Sequence, residues 1–248
     1  LIALLCMRLP ARTAGKIHPH AARSLLDGMR YALGFVPIRS LLALVAVNSL
    51  LAMSQSVLMP LFASQVLSGN ERTLGLLLGS AGAGAFVGSL YLASRRTVVG
   101  LGRVIAIAAG VLGASMISFS FTESLLFSVL VLPVVGGSLV VEVAAANTML
   151  QTIVDDDKRG RVMSLFAMAV MGVAPFGSLL AGVTANYLGP AWTMRLSGMV
   201  SVAAAVVFTL HLPVLRTFVR PIYVRKGILP EMASGIQTAS NLATTPHE

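Results

Sequence analysis

Glu142 is the only acidic side chain set well inside a long apolar run, 19 residues past Glu123 and 13 before Asp155. A charge at membrane depth costs about 2.5–3.5 kcal/mol on insertion scales, so such a residue faces a bundle interior or a water-filled cavity. There a carboxylate can exchange a proton or bind a cation. The plainer alternative is a neutral glutamic acid hydrogen-bonded to a neighbouring helix. Three amides accompany it. Asn48 and Gln55 are seven residues apart, two helical turns, and share a face. Asn147 follows Glu142 within the same run. Amides in lipid turn inward, where they contact substrate or bond across helices. Glu142, Gln55, Asn48 and Asn147 are therefore the candidate substrate or proton pathway.

Other groupings read as structure. Gly82-Ala-Gly84-Ala-Phe-Val-Gly88 has the spacing of a dinucleotide-binding loop, but it lies in an apolar run without a preceding strand or a following acid. Ser80, Gly84 and Gly88 instead form a small-residue stripe suited to helix packing, with Gly75, Gly79 and Ala83 forming another. Gly172, Pro175, Gly177 and Gly182 read as a kinked packing surface. Asp155, Asp156 and Asp157 precede a helix whose positive end favours carboxylates. With Lys158, Arg159 and Arg161 they predict a salt-bridge cluster, part of an inward gate. Arg195 is expected to reach the headgroups, with pairing to an acid as the alternative. No Ser-His-Asp arrangement, HExxH or P-loop is present, so no enzyme is expected. Cys6 is the single cysteine, which removes a disulfide framework and a thiolate metal site. His18 and His20 read as a solvated pair. No metal or other cofactor is expected.

The elements that position these residues are six long apolar runs: Leu41–Leu67, Leu74–Ala93, Val104–Phe121, Leu125–Leu150, Val162–Leu188 and Ala191–Leu212. About 20 helical residues cross a hydrocarbon core roughly 30 Å thick. Each run suffices, so the fold class is all-α: a polytopic membrane protein with a six-transmembrane-helix bundle. Only 11% of residues are charged and the mean hydropathy is +0.86, which excludes a water-soluble reading. Pro60, Pro133 and Pro175 fall inside runs, where neighbouring helices can satisfy the carbonyls they free. Pro190 suits a helix start.

Every lysine and arginine except Arg72 and Arg195 falls in the segments before the first run, between the second and third, between the fourth and fifth, and after the sixth. Basic residues in short loops stay cytoplasmic, so both termini are expected there. The net charge of +9 and pI near 10.8 do not mark a nucleic-acid binder, because the cations flank spans and meet anionic headgroups. Residues 1–40 read as the end of a preceding helix (Leu1–Met7) and a basic connector, within which Ser24–Tyr31 forms a short amphipathic helix. Leu25, Leu26 and Met29 take its apolar face, and Asp27 and Arg30 another. Residues 41–212 are the membrane domain, and 213–248 a basic exit and disordered tail. The opening stub predicts the C-terminal part of a longer membrane protein.

Several segments carry a family resemblance. They are Leu26-Asp-Gly28-Met-Arg30-Tyr31, Leu58-Met-Pro60-Leu-Phe62-Ala63, Asn147-Thr-Met-Leu-Gln151, Arg159-Gly160-Arg161-Val-Met-Ser164 and Gly172-Val-Ala-Pro175-Phe-Gly-Ser178. Gly88-Ser-Leu-Tyr-Leu-Ala-Ser-Arg95-Arg96 with Gly102-Arg103 looks like the weakened second copy of the major facilitator loop motif. Together they resemble the C-terminal half of the enterobactin-exporter-like, or transmembrane secretion effector, branch of that superfamily, related to macrolide efflux proteins. The resemblance implies helices seven to twelve of a twelve-helix, proton-driven exporter of the bacterial inner membrane. Its substrates would be small amphiphilic compounds such as drugs or siderophores. It also implies a cytoplasmic loop motif at Gly88, Arg95, Arg96, Gly102 and Arg103, joined by Arg159, Gly160 and Arg161 in the next basic loop. The motif's usual acid is absent, with Ser94 near its place. The implied partners are the bilayer, protons, a small-molecule substrate, and an N-terminal half or second copy. A rival class is a membrane scaffold or partner-binding subunit that does not transport.

Overall fold

The computed structural model describes residues 21–228, and among them there is no strand. A connector helix, α1 (Ala21–Gly34), precedes six helices long and apolar enough to cross a membrane. These are α2 (Val36–Val66), α3 (Glu71–Ala93), α4 (Leu101–Phe119), α5 (Leu125–Ile153), α6 (Asp156–Leu188) and α7 (Pro190–Arg225). The six-helix all-α fold is thus as the apolar runs predict. The stub Leu1–Met7, Cys6, His18, His20 and the segment 229–248 lie outside the described residues.

Local chemistry sets the ends. Asn70 caps α3, its side-chain oxygen accepting from the backbone N–H of Arg72 (3.1 Å) and Thr73 (3.4 Å). Thr73 returns the bond by accepting from the Asn70 N–H at 3.3 Å. This capping box starts the helix a turn before the apolar run begins. Gly100 and Gly189 take left-handed φ values of 83° and 81° at the entries to α4 and α7, a region that costs glycine nothing. Proline lacks the N–H that an α-turn needs. After Pro60 the chain widens into a π-turn over Phe62–Val66, and another over Met168–Gly172 precedes Pro175. Helix α7 continues past Leu212 through Pro213 and Pro221. Its 36 residues span about 54 Å, so its basic end projects beyond a hydrocarbon core as helix. The Lys226 ammonium there donates to the Thr152 carbonyl at 2.7 Å, holding the end of α5.

Because apolar burial cannot draw helices together in lipid, the close crossings fall on small residues. Gly84 lies against the backbone carbonyl of Pro133, and a Cβ at Gly88 would sit 2.6 Å from the Gly137 carbonyl. Gly84 and Gly88 of the predicted stripe are therefore on the α3–α5 seam, together with Ala81, whose carbonyl faces Gly136, while the Ser80 hydroxyl donates to the Leu77 carbonyl of its own helix. The second predicted stripe is not a seam among the described residues, where nothing lies within 4 Å of a Cβ at Gly75 or Gly79. Gly177 abuts the Leu50 carbonyl, whereas Gly182 is open. A reciprocal crossing joins α4 to α7, where a Cβ on either Gly113 or Gly198 would sit 2.7 Å from the other's carbonyl oxygen.

Helix α1 docks on the start of α6, its Gly28 meeting the Arg161 side chain. Met29, assigned to the apolar face, is exposed, while Gly28 and Ala32 are buried. The docking partner is a polar helix start that a glycine approaches closely, so the contact follows small size rather than apolarity.

Candidate functional site

Two apolar clusters fill the bundle. One holds Ile38, Val45, Ile105, Ala145, Met149 and Phe208, and the other Leu58, Phe62, Leu112, Phe119 and Leu132. Between them, along both α2 and α5, lie Asn48 and Glu142. Glu142 is 0% exposed and Asn48 is 1% exposed. The Asn48 Nδ2 donates to both carboxylate oxygens of Glu142, at 2.9 Å each. The Asn48 Oδ1 is buried without a hydrogen-bond partner among the described residues. A buried carboxylate held by one amide, with a spare acceptor beside it, can bind a proton and report its presence to a second helix.

The other two amides do not join this pair. Asn147 accepts from Gln151 Nε2 at 3.0 Å on its own helix. Five residues rotate a side chain about 140° around an α-helix, which turns Asn147 away from Glu142. Gln55 is half-buried and makes no side-chain hydrogen bond among the described residues. It stands about 10 Å along α2 from Asn48, too far along the axis to reach the same carboxylate. Asn48→Leu should cost about 1–3 kcal/mol by leaving both oxygens of Glu142 unpaired. Adding Glu142→Leu should recover most of that loss. Detergent unfolding of the two single variants and the double variant checks it, and additive losses would count against the pair.

The predicted cytoplasmic cluster of acids and arginines contains two ion pairs among the described residues. Arg159 pairs with Asp156 at 2.5 Å within one turn, and Arg225 of α7 reaches Asp155 at 3.5 Å. Lys158 lies instead over the Tyr31 ring, 4.5 Å from its centre. Burial first, then the Asp155 and Asp157 carboxylates, push the Tyr31 phenol above its usual value, with Arg225 opposing. Such exposed ion pairs contribute little. Gly160 is exposed, with nothing among the described residues within 4 Å of a Cβ there. In the preceding arginine loop, Arg95 donates to the Tyr91 hydroxyl and to the Val99 carbonyl, each at 3.3 Å. Arg96 and Arg103 are exposed, and Gly102 meets Leu212 of α7. Gly88 is a packing glycine within α3.

Arg195 meets no acid among the described residues. Its guanidinium stacks on Phe121 (3.9 Å) and Trp192 (4.3 Å), and its Nε donates to Ser120 Oγ at 3.3 Å. Arg195→Leu should cost about 1–2 kcal/mol in detergent unfolding, with Arg195→Lys recovering part of it. No loss in the leucine variant would contradict the stack.

Six helices able to cross a membrane, closed by glycine seams around the buried Asn48–Glu142 pair, define a polytopic membrane protein. The chain matches the transmembrane secretion effector family over residues 1–220 and belongs to it. It is thus an integral membrane protein of the major facilitator transporter class. A search of curated proteins finds no match.

Proposed function

We propose that the chain is the C-terminal half of a twelve-helix, proton-driven exporter of small amphiphilic compounds in the bacterial cytoplasmic membrane, its arginine-bearing ends cytoplasmic. The observation that carries this reading is the Asn48–Glu142 pair. An ionised Glu142 takes both bonds from the Asn48 Nδ2. A protonated Glu142 would donate to the Asn48 Oδ1 once the amide turns, and that oxygen has no other partner among the described residues. Protonation would then reset a bond between α2 and α5. In transporters of this type the substrate site lies near the midplane at the interface between repeats. A facing six-helix unit is supported by the second and fifth spans, whose most apolar stretches are 17% buried against 56% for the third.

The test uses everted vesicles carrying the transporter that contains this chain and a fluorescent lipophilic cation. Energised vesicles should accumulate the dye, and a protonophore should halt accumulation. Dye uptake that ignores the protonophore would sink proton drive, and uptake no greater than in empty vesicles would favour the scaffold reading.

A further inference from the structure

Helix α4 has 19 residues, about 28 Å of helix, so it only just crosses a hydrocarbon core roughly 30 Å thick. Its first turn must therefore lie at the edge of that core. The helix it crosses, α7, is 36 residues long and runs on past the same level. Between the first turn of α4 and the projecting part of α7 lies a pocket of about 340 Å³. Its place in the membrane is the headgroup layer. None of its lining belongs to α3 or α6, the spans whose exposure supports a facing six-helix unit.

Three arginines line this pocket: Arg103 on α4, and Arg216 and Arg220 one turn apart on α7. The arginines that hydrogen-bond or ion-pair among the described residues are Arg95, Arg159, Arg195 and Arg225, and the pocket's three are not among them. No Asp or Glu lines the pocket. Guanidiniums grouped in this way repel one another, and an anion among them relieves the repulsion. The positive end of α4 is itself part of the wall, through Gly100 and Gly102. Beneath the arginines lies Tyr223, which is only 6% exposed, lines the pocket, and makes no side-chain hydrogen bond among the described residues. A hydroxyl so placed costs stability unless a ligand supplies its partner.

The rest of the floor has the opposite chemistry. Met149, Leu212, Leu215 and Val219 are buried apolar side chains. A soluble anion gains nothing from such a floor, whereas the glycerol ester and first methylenes beneath a lipid phosphate do. Guanidinium forks suit phosphate oxygens, and basic pockets between membrane helices hold anionic headgroups on this principle. A zwitterionic lipid would bring an ammonium group to a pocket that offers it no carboxylate.

We infer that the pocket between α4 and α7 binds the headgroup of one anionic glycerophospholipid. Its phosphate lies on Arg103, Arg216, Arg220 and the Tyr223 hydroxyl, and its glycerol ester over Leu215 and Val219. The site stands on membrane embedding alone and does not depend on proton coupling or on the direction of transport.

The experiment titrates the full chain in detergent with phosphatidylglycerol and with phosphatidylcholine, and follows bound lipid by native mass spectrometry. Each arginine should contribute about 5-fold, so phosphatidylglycerol should be preferred at least about tenfold. In the Arg103→Gln/Arg216→Gln/Arg220→Gln variant the preference should fall to near parity. The control, Arg30→Gln/Arg39→Gln/Arg96→Gln, removes the same charge from exposed arginines outside the pocket and should keep the preference. Equal affinity for the two lipids in the parent chain would overturn the site. So would a preference that survives the pocket variant, or one that the control loses as well. Tyr223→Phe changes no charge and should weaken phosphatidylglycerol about 5-fold; unchanged affinity would place the headgroup elsewhere. Glycerol phosphate in large excess should leave the lipid bound. Displacement would make a soluble phosphate compound the ligand and overturn the lipid assignment.

Discussion

Glu142→Gln is expected to bring gradient-driven transport down to the background of empty vesicles while leaving downhill substrate exchange in place. Glutamine keeps the size of the side chain and can still bond to Asn48, so the α2–α5 contact survives. What it cannot do is exchange a proton. In the proposed mechanism the proton on Glu142 is what changes the bond to Asn48, and without it the gradient has no purchase on the helices. The folded state should be at least as stable as the parent, because a carboxylate fully enclosed by the bundle gives way to a neutral amide. Detergent unfolding run beside the transport assay separates the two effects. Loss of transport with loss of fold would leave Glu142 as a structural residue, and unchanged coupled transport would remove it from the pathway.

Gly84→Val is expected to cost about 3 kcal/mol or more, because overpacking here meets groups that cannot move aside. Any Cβ at this position overlaps the backbone of Pro133, carbonyl oxygen included. A side chain in the way could rotate; a proline carbonyl inside a helix cannot. The two helices would have to separate along the whole seam, taking the Gly88–Gly137 approach with them. Gly82→Ala is the control two residues away, where nothing lies within 4 Å of the added carbon. It should be neutral or raise stability by up to about 1 kcal/mol through helix propensity. Denaturant titrations of the two variants in detergent decide the matter. Equal stability of Gly84→Val and the parent would contradict the α3–α5 crossing.

The spans were legible because a hydrocarbon core demands length and apolarity, and both are written residue by residue. Their ends were less so, since capping depends on short-range polar bonds. The Asn70–Thr73 box sets the start of α3, and the basic exit after Leu212 hid a helix that runs on through two prolines. Glu142 stood out as a lone acid at depth. Its partner did not, because Asn48 is 94 residues away and equally plausible amides lay nearby. Asn147 and Gln55 drop out of the pair on helical geometry, a matter of rotation and rise once the registers of α2 and α5 are known. The glycine stripes show the same limit. Two stripes of similar spacing run along α3, yet only the one facing Pro133 and Gly137 is a seam, because spacing fixes a face but not what lies opposite. Phe121 and Trp192 were overlooked as partners for Arg195. The signal was available, since two aromatic residues flank a lone arginine near the ends of neighbouring spans.

The most direct measurement is proton release on substrate binding, followed with a pH-sensitive dye in weakly buffered detergent solution. The transporter containing this chain should release a proton when an amphiphilic substrate is added, and the Glu142→Gln variant should bind the substrate without releasing one. Equal release from both proteins would place the proton elsewhere and contradict the role assigned to the Asn48–Glu142 pair.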